Sequence, residues 1–270
     1  VRVLLTNDDG IEADGLLSLR EALLRHVPDI DLLVIAPDGN RSAMGRMITV
    51  RRPLWIREVT FPDGTVGYAT DGTPVDCVRL ASLDIVENWT PELILAGINH
   101  GANLGDDITY SGTVAAALEG IILGIPAIAT SQQSTELETN IAGSGEFDFT
   151  GAATFTARLV ADLANVPLGP ATLLNLNFPG RVPDGVTVAK LGRRVYRDQL
   201  ALVEQDEERG RLYRLYGDVE SNPDEQGTDI AALNAGMVAV TPLHFDLTHH
   251  ESLESLGGHD LERLLHESAV

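Results

Sequence analysis

Short apolar blocks punctuate this chain at residues 1–6, 31–36, 93–97, 127–130, 173–177 and 237–241. They are continuous rather than alternating, the pattern of strands buried on both faces of a parallel sheet. Between them lie stretches with helical spacing. Leu16, Leu17, Leu19, Leu23 and Leu24 mark a helix over 16–27, and Pro74 opens one over 73–83. Further helices are predicted over 112–123, 149–164 and 229–234. Residues 47–70 alternate and carry Pro62-Asp63-Gly64, which predicts inserted antiparallel strands. Residues 132–146 are polar and unpatterned and read as a surface loop. Beyond Lys190 the texture changes: alternating stretches at 199–204 and 211–216 flank a charged turn at 206–210, a projecting hairpin. The tail from His249 is acidic and reads as a peripheral helix. The whole is an α/β chain with a core over 1–190 and an arm over 191–270, comprising hairpin, returning strand and tail. A hairpin projecting alone is hard to stabilise without a partner.

At 270 residues the chain can bury a full core. No stretch is apolar enough to span a bilayer, and the first run is too short for a signal peptide, so the expected location is the cytoplasm, with no membrane partner. A single cysteine, Cys77, excludes an internal disulfide and a thiolate zinc site, and reads as a small core residue. Basic residues number 19 against 40 acidic, a net charge of -21, and Lys190 is the only lysine. Such a chain repels phosphate backbones, which argues against polymeric nucleic acid as a partner. The same composition suits a high-salt cytoplasm. Binding a phosphate then needs a metal, oriented amides or placed arginines.

The candidate chemistry sits where strands end, the edge at which open α/β sheets gather ligands. Asn7-Asp8-Asp9-Gly10 follows the first strand. It is either a divalent-metal site or a helix cap beside a solvated carboxylate. Asn40-Arg41-Ser42 follows the second strand and a Gly/Asn/Asp loop from Gly97 to Asp107 follows the third. Hard oxygen donors without thiols or a histidine pair suit magnesium, manganese or calcium better than zinc. Ser111-Gly112-Thr113 opens a helix and is either a phosphate cradle or an ordinary cap. Metal and cradle on one edge describe metal-assisted phosphoester hydrolysis. Asp106 and Asp107 read as solvated loop carboxylates. His244 could donate a proton to a leaving group or serve structure, and His249 and His250 read as solvated. Arg193 and Arg194 could reach a phosphate or balance the acidic surface. Adjacent aspartates argue against a haloacid-dehalogenase-type phosphatase, whose pair is spaced by one residue. The lack of G-x-G-x-x-G after the first strand argues against a dinucleotide enzyme. A non-catalytic nucleotide- or metal-binding module is the other alternative.

Five blocks resemble the SurE (survival protein E) family of metal-dependent 5'/3'-nucleotidases. They are TNDDGIEADGL at 6–16, APDGNRSAMG at 36–45, DGTPVDCV at 71–78, AGINHGANLGDDITYSGTVAAALEG at 96–120 and GTDIAALNAGMVAVTPLHFDLT at 227–248. The resemblance implies a Rossmann-like core and one divalent cation per subunit, magnesium or manganese, on Asp8, Asp9, Ser42 and Asn99. Asn103, Ser111, Gly112 and Thr113 would lie beside the phosphate of a nucleoside 5'- or 3'-monophosphate, with short polyphosphate a further substrate. Water would attack phosphorus, or Asp8 or Asp9 would serve as base or nucleophile. The resemblance also implies a homodimer or homotetramer that exchanges the arm between subunits. Gly39 and Val1 depart from the family pattern, at positions where a charged residue and Met are usual.

Overall fold

The computed structural model describes every residue except 84, 136–145, 194–199, 207–208, 215–224, 260 and 267–270. Its centre is β1 (Arg2–Thr6), in which Val3 and Leu5 face one apolar layer and Leu4 the other. That two-sided burial is why the segment reads as an unbroken apolar run. Parallel to it lie β2 (Asp31–Pro37) on one side and β5 (Leu93–His100) on the other. The sheet continues beyond β2 with β4 (Val66–Thr70), parallel, and β3 (Ile56–Thr60), antiparallel. Beyond β5 come β6 (Ala127–Gln132) and β7 (Thr172–Phe178), both parallel. The strand β11 (Met237–His244) then inserts between β7 and β8 (Gly185–Val188). The resulting order, β3-β4-β2-β1-β5-β6-β7-β11-β8, reverses direction between β1 and β5. This is a topological switch point, where the loops leaving two adjacent strands part and open a crevice.

Helices cover both faces. α1 (Asp14–His26) and α4 (Thr150–Ala161) pack on the Val3 face, and α2 (Pro74–Ser82) and α3 (Gly112–Ile122) on the Leu4 face. The hairpin β9 (Ala201–Asp206) and β10 (Gly210–Arg214) forms its own two-stranded sheet with every residue exposed. α5 (Asp229–Asn234) precedes β11, and α6 (His250–Gly257) and α7 (Arg263–His266) form the tail. Among the described residues no helix is long and apolar enough to cross a membrane.

Two expectations shift. Only 56–60 and 66–70 of the alternating stretch 47–70 are strands. Residues 47–49 bond instead to the start of α2: the Thr49 N–H and hydroxyl donate to Asp76 and the Thr73 hydroxyl donates to the Met47 carbonyl. Side-chain clamps thus take the place of a ladder. The third strand runs on past Gly97 to His100, so Asn99 is a strand-end residue rather than a loop residue. Two thirds of the predicted loop at 132–146, residue 199 of the first hairpin stretch, 207–208 of its turn and 215–216 of the second stretch lie outside the described residues.

Candidate active site

The loop after β1 is closed by its own first residue. The Asn7 amide donates to the Gly10 carbonyl at 2.8 Å and accepts from the Gly10 N–H at 3.1 Å. Gly10 sits at φ +112, and a Cβ there would approach the Gly39 backbone to 3.2 Å. The loop can therefore lie against the loop after β2 only with glycine at this position.

Asp8 points to the α3 side and is 3 % exposed. Its Oδ1 accepts the Thr113 hydroxyl at 2.5 Å, and the Gly112 N–H also serves it. A Cβ on Gly112 would fall 2.8 Å from both Cβ and Oδ2 of Asp8. The turn that reads as a phosphate cradle is thus the seat of a carboxylate, where unpaired helix amides favour negative charge. Burial, and then the charge of Asp9, still push the Asp8 carboxyl up to about 6. The Ser111 hydroxyl caps α3 by accepting from the Val114 N–H at 3.0 Å.

Asp9 points the other way. Its Oδ2 accepts the His100 N–H at 3.1 Å, its Oδ1 accepts the Asn40 amide at 3.4 Å, and His100 Nδ1 lies 3.6 Å from Oδ1. Burial raises its carboxyl and His100 opposes that shift. The loop after β2 is stitched to the pair: the Arg41 N–H donates to the Asp8 carbonyl at 2.6 Å, and Asn40 Oδ1 receives the Ser42 N–H at 2.8 Å. Ser42 itself is on an exposed loop. Farther along, Arg46 reaches the fully buried Glu119 of α3 at 2.7 Å, with Arg79 of α2 on the other oxygen at 2.6 Å. The Asn99 amide nitrogen donates to the Gly101 carbonyl at 2.8 Å, so only its oxygen could serve a cation.

Asp8 and Asp9 are adjacent carboxylates with buried side chains and, among the described residues, no arginine or lysine ion pair, a desolvation cost that a divalent cation would relieve. Among the described residues no three of His, Cys, Asp and Glu gather into a cage. The fitting donor set is Asp8 and Asp9 with the Ser42 hydroxyl and the Asn99 amide oxygen, all hard donors. The residues present fit the implied ion.

Asn103 is 9 % exposed and is fixed from three sides. Its N–H donates to Asn177 at 2.8 Å, its carbonyl accepts the Asn175 and Asn177 amides at 2.9 Å each, and its own amide donates to Ser131 at 2.8 Å. Asp229, fully buried at the start of α5, accepts the N–H groups of Gly105, Gly192 and Ile230 at 2.7 to 2.9 Å and ties the same loop to the chain's last third. Sequence reading passed over Asn175, Asn177 and Asp229. Two asparagines alternating on one face of the leucine-rich strand Thr172–Phe178 were the available signal.

Other candidates lie elsewhere. β11 runs antiparallel to β7, so His244 pairs with Thr172, at the sheet edge away from the Asp8 loop. Its Nδ1 accepts the Asp246 N–H at 3.1 Å. Asp106 is exposed on a 3-10 turn. His249 caps α6 and His250 pairs with Asp246 at 2.7 Å, both exposed. Arg193 is exposed near Glu225, and Arg194 lies outside the described residues. Cys77 is buried in the Leu4 layer, where burial pushes its thiol up to about 12, so it is inert packing.

Comparison with known proteins agrees with this architecture. The family described as Survival protein SurE matches residues 3–198. A protein named 5'-nucleotidase SurE from Rubrobacter xylanophilus is 47 % identical over 269 residues, covering 98 % of this chain and 99 % of that one. One of the same name from Chloroflexus aggregans is 44 % identical over 258 residues, covering 94 % and 97 %. The crystal structure of a SurE protein from Aquifex aeolicus superposes with a TM-score of 0.77 at 36 % identity, covering 95 % of this chain and 98 % of that one.

Proposed function

The chain belongs to the SurE family, and from that membership we propose that it is a 5'-nucleotidase, a hydrolase that releases phosphate from nucleoside monophosphates. The observation that carries the reading is the Asp8–Asp9 pair at the β1/β5 switch point, with Asp8 seated on the first turn of α3. Asp8, Asp9, Ser42 and Asn99 would hold one magnesium or manganese ion. Bound there, the ion would polarise a phosphoryl oxygen and activate water.

The chain's own residues set the geometry. Gly112 and Thr113 hold Asp8 in place. The His100 N–H and the Asn40 amide orient Asp9, whose position beside a partly open loop suits it to take a proton from the attacking water. Asn103 and Ser111 would flank the phosphate, with Gly112 and Thr113 acting through Asp8. Nucleoside 3'-monophosphates and short polyphosphate are further substrates under this reading. The arm over 191–270 would join subunits into a homodimer or homotetramer. Leu202, Val203 and Leu212 of the hairpin and Leu247 of the tail are all more than half exposed, an apolar surface that a partner would cover.

The test is a panel of phosphomonoesters assayed for phosphate release with manganese or magnesium supplied. Nucleoside 5'-monophosphates should be turned over with a kcat/KM at least about tenfold above those of p-nitrophenyl phosphate and glycerol phosphate, a difference of about 1.4 kcal/mol. Nucleotide binding without release of phosphate from any substrate would replace the enzyme with a binding module.

A further inference from the structure

We infer that the cavity on the α1 side of Asp9 receives the nucleoside half of the substrate, with the base lying against the His100 ring. The inference rests on the nucleotidase reading and specifies where the leaving group sits and what charge it can carry. The cavity measures about 360 Å³ and is lined by Asp9 and His100, by Glu12 and Asp14 at the entry to α1, and by Asp38 after β2. That volume falls within the range of small-ligand sites. It adjoins the same Asp9 carboxylate that would help to hold the ion, so a group leaving the phosphate has this space within reach.

His100 is built as a platform. Its backbone N–H is held by Asp9, and its ring stacks on Phe147 with centroids 5.1 Å apart at 26° and lies tilted against Phe149 at 4.9 Å and 32°. Those two phenylalanines stack on each other at 5.5 Å. The imidazole is therefore ordered before any ligand arrives, with about a quarter of its side chain exposed. An aromatic face fixed in advance loses little entropy when a base is laid on it.

The charge of the lining narrows the ligand. Glu12 and Asp14 add carboxylates to Asp9, while Asp38 is paired with Arg41 at 2.6 Å. Carboxylates accept readily from ribose hydroxyls. The same groups repel a second or third phosphate. The cavity thus favours an uncharged nucleoside, and monophosphates over di- and triphosphates.

The experiment compares kcat/KM for a nucleoside 5'-monophosphate with that for ribose 5-phosphate, and measures binding of the free nucleoside, in wild type, His100→Ala and His100→Phe. The alanine variant should lower the ratio and weaken nucleoside binding, each about tenfold, the loss expected for one base–ring stack. The phenylalanine variant should keep both within about twofold. Independently, Glu12→Gln with Asp14→Asn, on the exposed rim, should strengthen inhibition by a nucleoside diphosphate relative to monophosphate. An unchanged ratio and unchanged nucleoside binding in His100→Ala, or a diphosphate that binds the double variant no better, overturns the inference. Wild type that hydrolyses neither substrate overturns the nucleotidase reading instead, and nucleoside binding still judges the cavity.

Discussion

Asp8→Asn should lose activity while gaining stability. Removing one carboxylate from the ion's seat takes away charge stabilisation that develops in the transition state, a loss on the order of 10²- to 10³-fold in kcat/KM. The gain comes from linkage. Burial, and then Asp9, hold the Asp8 carboxyl at about 6 in the folded protein, against an ordinary value of 3.8. A group whose folded pKa is raised contributes stability that is fully present below the unfolded pKa and is lost as pH rises through the folded one. At pH 7 without a divalent ion, wild type has therefore forfeited about 3 kcal/mol that neutral Asn retains. Thermal melts with chelator at pH 7 should place Asp8→Asn roughly 5–10 °C above wild type. The gap should narrow as pH falls through 6 and close below about pH 3, where Asp8 is protonated in both states. Added manganese should raise the wild-type melt and leave the variant unmoved. A variant less stable than wild type at pH 7 would mean that the Thr113 and Gly112 donors outweigh the desolvation cost.

Gly112→Ala should be damaging out of proportion to its size. Alanine is the better helix former by about 1 kcal/mol, yet its Cβ would lie 2.8 Å from Cβ and Oδ2 of Asp8. Either α3 backs away from β1 or the carboxylate turns. Overpacking of this kind costs about 1–3 kcal/mol. A shift of a reacting group by about 1 Å costs on the order of 10²-fold in rate. The control is Gly151→Ala in α4, where a Cβ meets nothing within 4 Å. It should leave turnover unchanged and stability equal or higher. Activity of Gly112→Ala within about threefold of wild type would show that the contact between the first turn of α3 and Asp8 is not required.

The contrast between these sites shows what the sequence carries. The two-faced burial of β1 writes itself as a continuous apolar run, so the position of Asp8 and Asp9 at a strand's end was legible from six residues. The helix start at Ser111 was legible too, because an N-cap is a local signal. What the helix start receives was not legible, since Thr113 and Asp8 are 105 residues apart. The same holds for Asp229, which reaches Gly105 across 124 residues. Local periodicity also misread 47–55 as strand, since what holds 47–49 is a set of side-chain bonds to the start of α2 that leaves no periodic signal. The platform at His100 escaped because its ring partners, Phe147 and Phe149, lie beyond α3 and β6 in the chain.

The carboxylate pair is expected to work through a divalent cation on a nucleotide. The most direct test is phosphate release from a nucleoside 5'-monophosphate by protein stripped with chelator and then titrated with manganese or magnesium. Release should vanish on stripping and return with an apparent stoichiometry of one ion per subunit. Undiminished release after complete metal removal would mean that Asp8 and Asp9 act without a cation.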